Sequence, residues 1–230
     1  MKAESNYKIA DKELSAIKKQ IPKLLNNIRL KLATFDEVNV ALIERICRNE
    51  FETIRQQAIK SYLAIAQKTY REAYDYAVTL GYKDGNYNPL WLGAITDWLL
   101  EYDDVTGYVF DNELKRKESR FVEKIISLLL NGKKHESVEM LMVYKKNAKY
   151  IADQIAQYGD IIAYKSMVQA YNNAGVTTVM WLSEYDNRVC DVCLSLNGLK
   201  FPLDKAPAKP HWGCRCWLIP IKNNNRQRSR

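Results

Sequence analysis

One short segment limits what this chain can be. Cys190, Cys193, His211, Cys214 and Cys216 follow the spacing C-x2-C-x17-H-x2-C-x-C. Two donors separated by two residues reach one ion from a single tight turn. A second group, brought back by a hairpin, completes a tetrahedron of sulfur and nitrogen, which is the set Zn2+ prefers. Five donors compete for four places, so one of them does not bind the ion directly. Cys190 and Cys193 form one half of the set. His211, Cys214 and Cys216 share what remains: alternation along a strand would turn Cys214 and Cys216 to one side, with His211 completing the set or orienting a ligand from outside. The competing reading is a metal-free motif held by packing or by a late disulfide.

The rest of the cysteine usage favours the metal. Cys47 stands alone in a helical stretch and reads as a small core residue. The others crowd together, whereas a disulfide framework distributes its pairs, and a reducing cytoplasm does not sustain one. A cytoplasm is the expected site of synthesis. The Met1–Lys8 stretch has no apolar run of the secretory kind, and the most apolar stretch, Ile125 to Leu130, is far short of the roughly 20 residues a spanning helix needs. No membrane role is expected.

Nearly all the remaining chain has helical periodicity. Ile17, Ile21, Leu24, Leu25, Ile28 and Leu32 recur at three and four, with Pro22 marking a kink or a new start. Thr34 and Glu37 fit a capping box opening a second helix that runs to Leu80 and stops at Gly81. Leu42, Ile46, Phe51, Ile54, Ala58 and Ile65 line its apolar side. Asp84-Gly85 lies in a loop, and Asn88-Pro89 opens a helix carrying Trp91, Leu92, Ile95, Trp98 and Leu99. Further helices are expected over 111–130, ended by Asn131-Gly132, and over 135–158, closed by Gly159. Asp160 then caps a short one.

After Gly175 the period changes to two. Val176 to Trp181 read as a strand, Asn197-Gly198 as a two-residue hairpin turn, and Trp217 to Ile219 as a return strand. The expected fold is mainly α: an elongated multi-helix body with a long N-terminal helical arm and a small C-terminal β-ribbon carrying a zinc-type knuckle. The expected blocks are 1–88 for the arm, 89–220 for the domain ending in the ribbon, and 221–230 for a basic disordered tail. A ribbon this small cannot bury enough apolar surface to stand alone, so a structural Zn2+ would stabilise it.

The net charge of +8 is concentrated at the C-terminus. Lys200, Lys205, Lys209, Arg215, Lys222, Arg226, Arg228 and Arg230 face Asp204 alone beyond residue 199. A basic end suits a polyanion, most simply nucleic acid, with Lys222, Arg226, Arg228 and Arg230 as contacts. A solubilising tail has the same composition. Catalysis is not expected. A catalytic zinc keeps an open position and a general base, and closed sulfur-rich sets are structural. Glu184, Asp186 and Asp191 read as solvated acids beside the hairpin. His135, the other histidine, reads as a surface or capping residue in a helix. Asp186 and Arg188 are expected to brace the knuckle, and Trp181 and Trp217 to cover it.

The run Trp181-Leu182-Ser183-Glu184-Tyr185-Asp186-Asn187-Arg188-Val189-Cys190-Asp191-Val192-Cys193, then Leu196-Asn197-Gly198 and Phe201, then His211-Trp212-Gly213-Cys214-Arg215-Cys216, resembles the phage Mu protein F-like family. These are minor head, or head morphogenesis, proteins of tailed double-stranded DNA phages. Trp212 stands where that family usually has Pro, and Asn197 where it has Asp. Neither change touches a candidate ligand. The resemblance spans Trp181 to Cys216, fits the helices after Asn88 more loosely, and does not extend to the first eighty residues. It implies a minor capsid protein inside the phage head, assembled in the host cytoplasm near the portal. Its implied partners are the portal, other head proteins and packaged double-stranded DNA, with no small-molecule substrate. Two alternatives stand beside it: a DNA-binding zinc protein outside the particle, and a metal-dependent nuclease.

Overall fold

A computed structural model describes residues 6–82, 87, 110–184, 189–211 and 213–222. The described chain is mainly helical, with a small three-stranded antiparallel sheet near its C-terminus. Its elements are α1 (Asn6–Leu32), α2 (Val40–Thr79), α3 (Phe110–Leu130), α4 (Val138–Asn173), β1 (Thr178–Leu182), α5 (Asp191–Leu196), β2 (Lys200–Pro202) and β3 (Trp217–Pro220). The expected helix around Trp91, Leu92, Ile95, Trp98 and Leu99 and the Asp84-Gly85 loop lie outside the described residues, as do Asp186, Arg188 and Trp212.

Local chemistry sets the helix boundaries, and three differ from the sequence reading. α1 runs through Pro22 with no new start, burying Ile17, Ile21, Leu25, Ile28 and Leu32. Thr34 does not open α2. Its hydroxyl donates back to Lys31 O at 2.7 Å and closes α1. Asn39 is the N-cap, its Oδ1 accepting from Leu42 N at 3.0 Å, as suits a residue that caps better than Thr. Gly159 does not end a helix either. α4 continues past it to Asn173, because buried Ile155, Tyr158, Ile162 and Ala163 keep one apolar stripe on both sides of it. An interior glycine costs only about 1 kcal/mol, less than that burial returns. The stops at Gly81 and at Asn131-Gly132 fall where the sequence places them.

The chain divides into two compact units that do not follow sequence order. One gathers residues 13–63 and 93–158. Its core is aromatic: Tyr62 meets Phe110 edge-on at 5.1 Å, Phe121 meets Tyr144 at 5.4 Å, and the Tyr62 hydroxyl donates to Ile155 O at 3.1 Å. Buried Asp111 pairs there with Arg55 and with Lys115. Cys47 is fully buried, as read from the sequence, and burial pushes its thiol up to about 12.

The other unit gathers residues 1–12, 64–92 and 159–230. β1 is its central strand, in the order β2-β1-β3. Val179 pairs with Phe201 on one side, and Trp181 with Leu218 on the other. Period-two alternation turns Val179 and Trp181 inward, both with no exposed surface. They pack with Tyr70, Ala73 and Ala77 of α2, with Met167, Ala170 and Tyr171 of α4, and with Ala174 just past its end. Alanines four apart, Ala73 and Ala77 on α2 and Ala170 and Ala174 at and just past the end of α4, let the sheet approach closely. Strands of five, three and four residues are too short to be stable alone. This sheet depends on those helices and on what joins its loops.

Candidate metal centre

The turns around the sheet are built from the same segment. Cys190 is the N-cap of α5, in extended conformation, and its sulfur accepts from Cys193 N at 3.3 Å. This places Cys193 one turn inward, buried at the edge of the core. Asn197-Gly198 then closes α5. It is not the hairpin turn read from the sequence. Asn197 has φ −61 and ψ 126, Gly198 has φ +80, and Leu199 N bonds Leu196 O, which makes a type II turn. A six-residue helix precedes it instead of a strand, so a primed turn has no strand twist to match. The Asn197 amide oxygen accepts from Ser183 N at 2.9 Å and ties the turn back to the end of β1.

The returning segment carries His211 in a turn, then Cys214 and Cys216 just before β3. Both cysteines are buried, and Arg215 between them turns the other way, over the Tyr7 ring. The structure brings all five sequence-predicted donors together as two triads sharing Cys193. In the first, His211 Nε2 lies 3.1 Å from Cys190 Sγ and 3.2 Å from Cys193 Sγ. In the second, Cys193, Cys214 and Cys216 are all buried, with Cys193 Sγ 3.6 Å from Cys214 Sγ. A tetrahedron of Zn–S bonds of about 2.3 Å has edges of about 3.8 Å, so these separations suit one ion among soft donors.

Electrostatics agrees with a site built for a cation. Burial pushes the Cys193 thiol up to about 12. The Cys193 N–H, followed by His211, holds the Cys190 thiol below its ordinary value. An ion would reverse the buried preference, because a coordinated thiol ionises. Trp181 Nε1 is buried with no hydrogen-bond partner among the described residues, although the ring lies close enough to Cys216 to help lower its thiol. An orphaned N–H beside a group of sulfurs fits a thiolate-rich site.

Cys214 and Cys216 lie close enough for one thiol to donate to the other. The contact with Cys214, taken with the donors around it, would draw Cys216 down to about 5 and push Cys214 well up. Ser183 argues the other way. Its one hydroxyl proton goes to Cys193 O at 2.6 Å, so at 3.4 Å from Cys216 Sγ it can only accept. The two contacts on Cys216 oppose each other: the Ser183 oxygen accepts from it, while the contact with Cys214 draws its proton off.

Ser183 is the residue the sequence reading missed. Its position two residues after Trp181, on the inward side of β1, was the available signal. Lys209, whose Nζ donates to Cys214 O at 2.7 Å, was read only as charge. Trp181 is a core residue and not a cover, while Trp217 is half-buried against the same cluster. Glu184 accepts from the Tyr7 hydroxyl at 3.0 Å, and Asp191 sits exposed in the first turn of α5. His135 lies in the turn before α4 and not in a helix, with Nδ1 buried and burial lowering its pKa. Of the predicted nucleic-acid contacts, Lys222 donates to Gly81 O at 3.3 Å, beyond the end of α2. Arg226, Arg228 and Arg230 lie outside the described residues.

The fold and site define a class: a mainly helical chain whose small sheet carries a Cys/His cluster able to hold a metal ion. Compared with protein-family models, with curated proteins and with solved structures, the chain finds no match.

Proposed function

We propose that this chain is a minor head protein of a tailed double-stranded DNA phage, and that its Cys/His cluster holds a structural Zn2+. The observation that carries the reading is the convergence of all five donors at the base of the sheet, in the order and context that resembles the Mu F-like pattern. The donors are thiols and an imidazole, which suit zinc over harder cations. When bound, the ion would supply a cross-link and a positive charge. Cys190 and Cys193 hold the start of α5, and the returning donors hold the chain entering β3. A sheet of this size gains through the ion the tie its own core does not provide.

The reading is one of assembly and not of turnover. The helical surface serves docking to the portal and neighbouring head proteins, and the basic end, with Lys222, Arg226, Arg228 and Arg230, meets packaged DNA. The interior of the phage head is the proposed location. Mass spectrometry of purified procapsids and virions from the source phage tests it. The chain should be present at a fixed copy number per particle. Its absence from both particles would refute the assignment. Metal analysis of protein purified without chelators should give one zinc per chain.

A further inference from the structure

Where α3 packs on α4, the surface carries a row of cations that make no ion pair among the described residues. The two helices run in opposite directions within one compact unit: Phe110 meets Tyr158 at 5.5 Å, Lys117 Nζ lies 3.7 Å from the centre of the Tyr150 ring, and Phe121 meets Tyr144 at 5.4 Å. Lys117, Arg120 and Lys124 follow one another at three and four, so they share one stripe of α3. Lys146 stands one turn before Tyr150 on the same side of α4. Arg120, Lys124 and Lys146 are exposed. The nearby carboxylates are engaged elsewhere or leave the row unpaired. Glu113 accepts from Arg116 and from the Tyr150 hydroxyl, and Glu118 is half-buried and interacts with Arg48. Exposed Glu123 and Asp153 make no ion pair with the row among the described residues. Burial, followed by repulsion from Arg120, holds the Lys117 ammonium below its ordinary value; Arg116 adds to this and Glu113 opposes it. Like charges kept together in this way are relieved by an outside anion.

We infer that the face formed by Lys117, Arg120, Lys124 and Lys146 is a contact for double-stranded DNA, gripping its phosphates without reading its bases. At about 1.5 Å per residue the row from Lys117 to Lys124 is roughly 10 Å long. A duplex carries one charge per roughly 1.7 Å of axis, so the row meets several phosphates at once. Single strands are held by stacking on open aromatic rings, and the Tyr150 ring is already covered by Lys117. No large apolar side chain is exposed between Lys115 and Lys124, so the stripe lacks what sinks into a bilayer. The inference rests on the DNA contact in the reading above and adds a second place for it, on the helices and not on the tail.

Duplex DNA binding by the full chain, followed by fluorescence anisotropy across a salt series, tests it. Arg120→Gln, Lys124→Gln and Lys146→Gln together should lower the slope of log K against log salt by roughly 2–3 and weaken binding at least tenfold near physiological salt. Each change alone should lower the slope by about 1, so the result does not depend on the triple variant folding. The set Arg120→Lys, Lys124→Arg and Lys146→Arg keeps the charges and should match wild type. Lys19→Gln, Lys23→Gln and Arg45→Gln remove three exposed charges elsewhere in the same unit and should leave the slope unchanged. A stripe variant that binds as wild type does, or a control that loses as much, would overturn the inference. So would poly-glutamate or phosphatidylserine vesicles displacing the chain at lower charge concentration than duplex itself. A wild-type chain that binds no duplex would remove this contact and the tail's together, while its presence in particles, read by mass spectrometry, would stand.

Discussion

Tyr171→Phe tests how the sheet is held on its helices. The Tyr171 side chain is fully buried on α4, and its hydroxyl donates to Leu218 O in β3 at 3.1 Å. Leu218 pairs with Trp181 in register, but Trp181 N bonds Leu199 O on the other side of β1. In an antiparallel ladder this makes Trp181–Leu218 a non-hydrogen-bonded pair, so the Leu218 carbonyl points away from β1 and Tyr171 is its cap. The substitution keeps the ring and its packing, removes one hydrogen bond, and leaves a buried carbonyl without a donor. That costs roughly 2 kcal/mol, which for a chain of this length lowers the melting midpoint by about 4–8 °C. Burial pushes the phenol far above its ordinary value, so it stays protonated and the deficit should be the same from pH 6 to pH 9. Urea unfolding followed by tryptophan fluorescence, to which Trp181 and Trp217 contribute from the sheet, measures it. The midpoint should fall while the slope stays constant. A loss below about 0.5 kcal/mol, the range of an ordinary surface change, would refute the argument that this carbonyl depends on Tyr171.

Three further outcomes follow from the same reasoning. Chelation should lower hydrogen-exchange protection of the β1 and β3 amides by roughly 100-fold or more, while amides of α3 keep theirs; equal loss everywhere would contradict a metal that ties only the sheet. Burial raises the Asp111 carboxyl, but the bonds from Lys115 and Arg55 more than offset this, and its pKa lies below the ordinary 3.8. Its contribution is therefore complete above that value and lost as pH falls through the folded pKa. Asp111→Asn should cost about 1 kcal/mol at neutral pH, allowing for the exposure of Lys115, and the gap to wild type should close in acid; a constant gap in acid titrations of stability would exclude the pairing as its cause. Truncation after Lys222 should reduce the slope of log K against log salt for duplex DNA by roughly 2–3, since Arg226, Arg228 and Arg230 each release counterions; an unchanged slope would remove the tail from the DNA contact.

Much of the fold could be read from spacing alone. The apolar face of α1, the span of α3, the stops at Gly81 and Gly132, and the change to period two after Gly175 are local signals, and the structure keeps them. What misled were residues whose local preference is weak or shared. Thr34 can cap a following helix or close a preceding one, and Asn39 competed for the first role. Gly159 can end a helix, but apolar burial on both sides carried α4 through it. Asn197-Gly198 is a turn in any reading, but its type depends on what it joins.

The sequence by itself determined that five soft donors would gather near the C-terminus, because their identity and intervals are covalent facts and tight turns follow from them. It also determined a mainly helical body, since a 3.6-residue period needs no knowledge of the partner face. Only the tertiary structure decided that Ser183 and Trp181 stand beside the sulfurs, that Cys193 is common to both triads, and that the compact units interleave distant segments. Those relations join residues far apart along the chain, brought together by burial against α2 and α4, and no local interval encodes them.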